Sequence, residues 1–118
     1  MGKYLIINAD DFGYSFGINK GILEAITNGV VTSTSVMVDA IAAHEAKELN
    51  GLPGISVGLH LELADLNNVA DELQRQIDKF KAIVGKFPDH IDTHKRRPTD
   101  DRTRSVLEPF SIRHAIPV

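Results

Sequence analysis

The 118-residue sequence contains no cysteine. That excludes a disulfide framework and any thiolate metal site, so a metal would have to be held by histidine, aspartate or glutamate. Such a composition also suits a reducing compartment. Long apolar runs are missing as well. Met1-Gly2-Lys3 leads into four apolar residues, Tyr4 to Ile7, before Asn8, Asp10 and Asp11 interrupt them. A run of that length is too short for the apolar segment of a secretory leader or for a membrane span. Met1-Gly2 could open a myristoylation motif, but Ile6 stands where that motif needs Ser or Thr. The expectation is a cytoplasmic protein with no membrane partner. An excess of positive charge is also absent: 13 Lys and Arg against 16 Asp and Glu give a net charge of −3. No electrostatic footprint for nucleic acid follows from that balance. The basic cluster Lys95-Arg96-Arg97 is short, is followed by Asp100 and Asp101, and reads as a solvated loop.

What is present is ordinary for a globular chain, 42% hydrophobic and 25% charged, and long enough for one domain with a core. The pattern alternates. Tyr4–Ile7 reads as a buried strand. Gly17–Asn28 reads as a helix with Ile18, Ile22, Leu23 and Ile26 on one face, stopped by Gly29. Residues 33–38 predict a second strand, and Ala40–Leu49 a second helix closed by Asn50-Gly51 and Pro53. Residues 55–61 predict a third strand. Residues 67–84 predict the longest helix, with Val69, Leu73, Ile77, Phe80 and Ile83-Val84 on one face and Gly85 at its end. Residues 90–93 predict a fourth strand, and residues 102–114 a last helix that contains Pro109. Four strand–helix alternations are the signature of an α/β fold built of βα units on a parallel sheet, whose chemistry gathers at the strands' C-terminal ends. Met37, Phe80 and Phe87 read as core, and His44 and His114 as surface.

Three segments carry unusual polar residues. Asn8-Ala9-Asp10-Asp11-Phe12-Gly13 places two carboxylates side by side, which repel unless a cation lies between them. The pair reads either as a metal ligand with a general base beside it, or as a turn or helix cap. In Val57-Gly58-Leu59-His60-Leu61-Glu62-Leu63, His60 and Glu62 share one strand face and the leucines take the other. His60 reads as a ligand or as a hydrogen-bonded core residue. In His90-Ile91-Asp92-Thr93-His94, three titratable side chains share a face, which is costly to bury without a cation or a hydrogen-bond network. Imidazole and carboxylate donors suit zinc, iron, nickel or manganese, with magnesium taking oxygen donors and water.

These blocks, together with Gly21-Ile22, Gly29 to Ser35 and Pro88-Asp89, resemble the YdjC-like carbohydrate deacetylases of the chito-oligosaccharide type, in the same order over residues 4 to 94. The resemblance implies a barrel-like α/β fold, related to the (β/α) barrels of glycoside hydrolases and deacetylases. It implies hydrolysis of the N-acetyl group of N-acetylglucosamine units in an acetylated amino-sugar oligosaccharide. It also implies a divalent metal, commonly magnesium, on Asp11, His60 and His94, with Asp10 as the general base that activates water. Asn8, Glu62, His90 and Asp92 then belong to the support of the site or to substrate contacts.

The chain departs from that pattern in length. A closed eight-stranded barrel takes about 250 residues, and this chain supplies about four βα units. It reads as one domain, 1–118, equivalent to the N-terminal half of the family barrel with a shortened C-terminal part. His60 and His94 stand closer in sequence than the family leads one to expect, and Lys95-Arg96-Arg97-Pro98 replaces the further histidines usual there. The tail from Val106 to Val118 resembles the family's next helix and the start of its next strand, after a deletion. Two outcomes fit: a family member without activity that serves as a sugar- or partner-binding module, or half-barrels that complete one another as a homo-oligomer.

Overall fold

Pairing, rather than local apolarity, decides where the first strand forms. In the computed structural model, which describes residues 2–95 and 100–118, strand β1 is Asn8–Phe12, not the expected Tyr4–Ile7. Helix α1 (Phe16–Asn28) returns the chain to β2 (Ser33–Val36), whose first residue pairs with Asn8. Strand pairing therefore starts at Asn8, and the residues before it are not part of the ladder. Among the described ones Ile7 alone reaches β2: its carbonyl accepts from the Thr32 and Ser33 amides at 2.9 and 3.2 Å, and its amide donates to Thr32 Oγ1 at 3.0 Å. Tyr4, Leu5 and Ile6 are left 96%, 76% and 78% exposed.

The expected second helix is a 3₁₀ segment, Ala43–Gly51. Its buried residues, Ala43, Ala46 and Leu49, repeat every third position, which is the period of a 3₁₀ helix rather than an α-helix. Strand β3 (Ser56–Leu61), helix α2 (Val69–Val84), strand β4 (Ile91–Thr93) and helix α3 (Asp101–His114) follow where the pattern placed them, within two residues. Gly85 ends α2 in the left-handed conformation. The stripe of α1 is rotated from the expected one: Asn19 and Ile22 are buried, and Ile18 is 38% exposed. The expected basic cluster and the run to Pro98 lie outside the described residues, apart from Lys95.

The four strands form one sheet in the order β1-β2-β3-β4, every neighbouring pair parallel. The expected α/β class with a parallel sheet is therefore observed. Alternation sorts the side chains by face. Thr34, Val36, Val57, Leu59, Leu61 and Ile91 turn outward beneath the helices, where Ile77, Phe80 and Leu107 close the core. Ser33, Ser35, Gly58, His60 and Asp92 turn to the opposite, inner face. Met37 and Phe80 are buried, Phe87 is half-buried, and His44 and His114 are exposed. Among the described residues no helix is long and apolar enough to cross a membrane.

Candidate metal centre

The site begins with an irregularity in β1. Ala9 pairs with Thr34 and Phe12 with Val36, so three steps on β1 match two on β2. One extra residue is thus inserted, and Asp11 takes it up with a φ of 66°. Neighbours on a regular strand point to opposite faces, and the bulge lets Asp10 and Asp11 both serve the inner face while Phe12 still enters the core. A non-glycine residue held at positive φ stores strain that the surroundings must maintain. They do so through Gly13, whose φ is 103° and where a Cβ would lie 2.9 Å from the Met37 carbonyl oxygen. The Gly13 amide donates to Asn19 Oδ1 at 2.6 Å, and Asn19 Nδ2 donates to the Ala42 carbonyl and to Glu45. The sequence carried a signal for Asn19, an amide on the apolar stripe of α1, that the periodicity reading passed over.

Asp11, His60 and His94 come together. Asp11 Oδ1 lies 3.1 Å from His60 Nε2 and 3.6 Å from His94 Nδ1, and the two imidazole nitrogens are 3.3 Å apart. One potential ligand atom from each residue lies within 4.8 Å of the other two. The three come from the β1 bulge, the buried end of β3 and the turn after β4, all at the C-terminal edge of the sheet. His60 is 3% exposed, while Asp11 and His94 are half-buried.

Behind His60 stands a carboxylate. Asp92 Oδ1 is 2.6 Å from His60 Nδ1, and Asp92 Oδ2 accepts from Ser35 Oγ at 2.8 Å and from Asn8 Nδ2 at 3.3 Å. Asn8 Nδ2 also donates to Asp10 Oδ1 at 2.7 Å, and Asn8 Oδ1 accepts from Ser33 Oγ. Asp10, His60 and Asp92 form a second convergent group that shares His60. Ser35 was not singled out from the sequence. Its signal was the serine at every second position of β2, the period of a face turned away from the core. Burial disfavours a charged imidazole at His60, yet the Asp92 hydrogen bond and the charges of Asp92, Asp10 and Asp11 outweigh it and raise its pKa. Burial likewise opposes ionisation of Asp92, and the His60 contact overcomes it, so that carboxyl lies below its usual value.

His90 and Glu62 do not join these contacts. The His90 ring lies flat on Gly58, where a Cβ would approach within 2.4 Å, and its Nδ1 is 3.1 Å from Ser56 Oγ. Burial lowers its pKa. Glu62 is fixed through its backbone: its amide donates to Gln76 Oε1 at 3.1 Å, and its carbonyl accepts from Gln76 Nε2 at 2.7 Å. Among the described contacts its carboxylate meets none of the histidines.

As a donor set, two imidazoles and a carboxylate with one imidazole braced by a second carboxylate fit a divalent cation. Bracing of that kind fixes the tautomer so that the other nitrogen faces the ion. The chain has relatives among known proteins. Residues 4–69 match the family described as YdjC-like protein. Proteins named chitooligosaccharide deacetylase from Yersinia pestis (strain Pestoides F) and Yersinia pseudotuberculosis serotype O:1b (strain IP 31758) are each 36% identical over 150 aligned positions that take in the whole chain. The chain spans 59% of the length of these relatives. Since it has 118 residues, those 150 positions include at least 32 to which it contributes none. A crystal structure from Enterococcus faecalis V583, provisionally described as a cellobiose-phosphate cleavage protein, superposes with a TM-score of 0.83 at 28% identity. That superposition covers 95% of this chain and 56% of the other.

Proposed function

From the premise that this chain belongs to the YdjC-like family, we propose that it is a metal-dependent hydrolase of the carbohydrate-deacetylase type, releasing acetate from N-acetylglucosamine-containing oligosaccharides. The observation that carries this reading is the convergence of Asp11, His60 and His94 within ligating reach, with Asp92 behind His60. Those three residues hold the cation, magnesium by resemblance and zinc or another transition metal by the two-imidazole donor set. Once bound, the ion supplies Lewis-acid polarisation of the amide carbonyl and a lower pKa for the attacking water.

The chain's own residues do the rest. Asp10 is the general base, its carboxylate aligned by Asn8 Nδ2 and placed on the same face as His60. Asp92 holds His60 with Nε2 toward Asp11, and Ser35 and Asn8 in turn hold Asp92. His90 and Glu62 lie outside this contact set and are left for the substrate side.

Elemental analysis and metal titration test the centre. Asp11→Ala, His60→Ala and His94→Ala each abolish stoichiometric divalent metal, whereas affinities equal to that of the parent refute the site. A second reading is a sugar-binding module without turnover, in which the hydrogen-bonded cluster around His60 serves only as structure. Acetate release from N,N′-diacetylchitobiose, with and without added metal, separates the two: metal-dependent release supports the hydrolase, and sugar binding without release supports the module.

A further inference from the structure

The segment that carries Asp11 is held in shape from outside. Asp11 at a φ of 66° and Gly13 at 103° flank Phe12, which is fully buried. Two positive-φ residues so close together make a conformation that an isolated segment would leave. Before them, the regular register with β2 ends at Ala9. After them, the Gly13 peptide is gripped on both sides. Its amide donates to Asn19 Oδ1 at 2.6 Å, and its carbonyl accepts from the Ala42 amide at 2.9 Å. The Ala42 carbonyl in turn accepts from Asn19 Nδ2 at 3.0 Å. Three hydrogen bonds thus close a ring through Gly13, Ala42 and one side chain of α1.

Asparagine suits that ring because its short side chain carries an acceptor and two donor hydrogens. The second Nδ2 hydrogen goes to Glu45 Oε2 at 2.7 Å. A carboxylate accepts only from the nitrogen end, so Glu45 fixes which way the amide faces. Asn19 is 0% exposed, and burial alone would require partners for its amide anywhere along α1. Here the partners lock the residue two after Asp11, whose carbonyl also accepts from the Tyr14 amide at 3.1 Å. Return of Asp11 to negative φ would turn its carboxylate away from His60 Nε2, now 3.1 Å distant. We propose that Asn19 is a positioning residue of the metal centre. Its amide, directed by Glu45, keeps Asp11 in the bulged conformation that faces His60, and so sets the fraction of the protein competent to bind the cation. The inference rests on the metal reading above and concerns the protein before the ion arrives.

Isothermal titration of the full chain with zinc and, separately, with magnesium tests it. Asn19→Asp keeps an oxygen toward the Gly13 amide but sets a carboxylate against the Ala42 carbonyl and Glu45. Affinity should fall about tenfold, the lower end of what a lost supporting contact costs, which corresponds to about one molecule in ten still competent. Adding Glu45→Gln returns a donor to that carboxylate and should recover most of the loss. Ile22→Val, on the same helix and 8% exposed, takes no part in the ring; it lowers the unfolding midpoint and leaves affinity at the parental value. Should Asn19→Asp fail to fold, Glu45→Ala, at a half-buried residue, decides: it frees the amide to turn, and affinity falls several-fold. Parental affinity in a folded Asn19→Asp protein, a loss that Glu45→Gln does not relieve, or an equal fall in Ile22→Val overturns the proposal and leaves Asn19 a packing residue. A parent that binds neither ion defeats the metal reading and this inference with it, whereas parental binding that the ring variants leave unchanged defeats the inference alone.

Discussion

The same four strands present two unlike surfaces. Outward, Val57, Leu59, Leu61 and Ile91 are at most 2% exposed and meet other apolar side chains. Inward, Ser33, Ser35, His60 and Asp92 are also buried or half-buried, yet nearly every polar atom is engaged by another. The two-residue period of a strand makes this possible, because one residue can be chosen for packing and its neighbour for chemistry without conflict. The difference teaches where each kind of damage should appear. Loss on the outer face is a loss of folding energy. Loss on the inner face is chiefly a loss of geometry around His60.

Phe80→Ala offers the sharpest break on the outer side. Phe80 is fully buried in the core cluster that contains Leu59 and Leu61. Truncation leaves a cavity and costs about 3–5 kcal/mol. Urea unfolding should show that loss, while metal affinity, measured under conditions where the variant remains folded, stays at the parental value. A parallel fall in metal affinity would mean that the two faces are not separable. Asp92→Asn makes the complementary break. The amide keeps the shape and removes the charge that braces His60 Nδ1. Metal affinity should fall about 10–100-fold, the usual effect of losing a bracing carboxylate, with an unfolding midpoint close to the parent's. Unaltered affinity in isothermal titration would show that Asp92 does not orient His60.

This comparison also explains what could be read from the sequence. The outer face announced itself: the stripe of Val69, Leu73, Ile77 and Phe80 and the alternation around Leu59 and Leu61 place α2 and β3 within two residues. Spacing by two put His60 with Glu62 on one face and His90 with Asp92 and His94 on another; His60, Asp92 and His94 meet, whereas Glu62 and His90 stand apart. Local pattern failed where a distant partner decided the outcome. Tyr4–Ile7 has the composition of a strand but only Ile7 reaches the start of β2, and the polar Asn8–Phe12 is a strand because β2 lies beside it. The bulge at Asp11 depends on the register with β2 and on Gly13 fitting under Met37 and Ala43, none of which a spacing rule contains. Ser35 and Asn19 were missed for the same reason, since their roles exist only in the partners they meet.

The smallest effect lies away from both faces, in the ties between the loop after β2 and the exposed side of α2. Asp39 accepts from Arg75 Nη1 at 3.1 Å and from Lys79 Nζ at 2.7 Å, and its second oxygen meets Arg75 Nη2. The Arg75 hydrogen bond, opposed by partial burial and aided by Lys79, holds its carboxyl at about 2. A carboxylate with a folded pKa below its unfolded value stabilises the protein above the unfolded value. That contribution is complete above about pH 4 and drains away as the pH falls toward 2. With Arg75 47% and Lys79 45% exposed, water screens the pair and keeps the contribution to about 1 kcal/mol or less. Asp39→Asn should therefore lower stability slightly at neutral pH and flatten the loss between pH 4 and pH 2 in a series of urea titrations. Added salt should shrink the difference between variant and parent, because it weakens exposed ion pairs and leaves the packing of α2 on β3 untouched. A difference that persists in molar salt would place Asp39 among the packing residues instead of the surface charges.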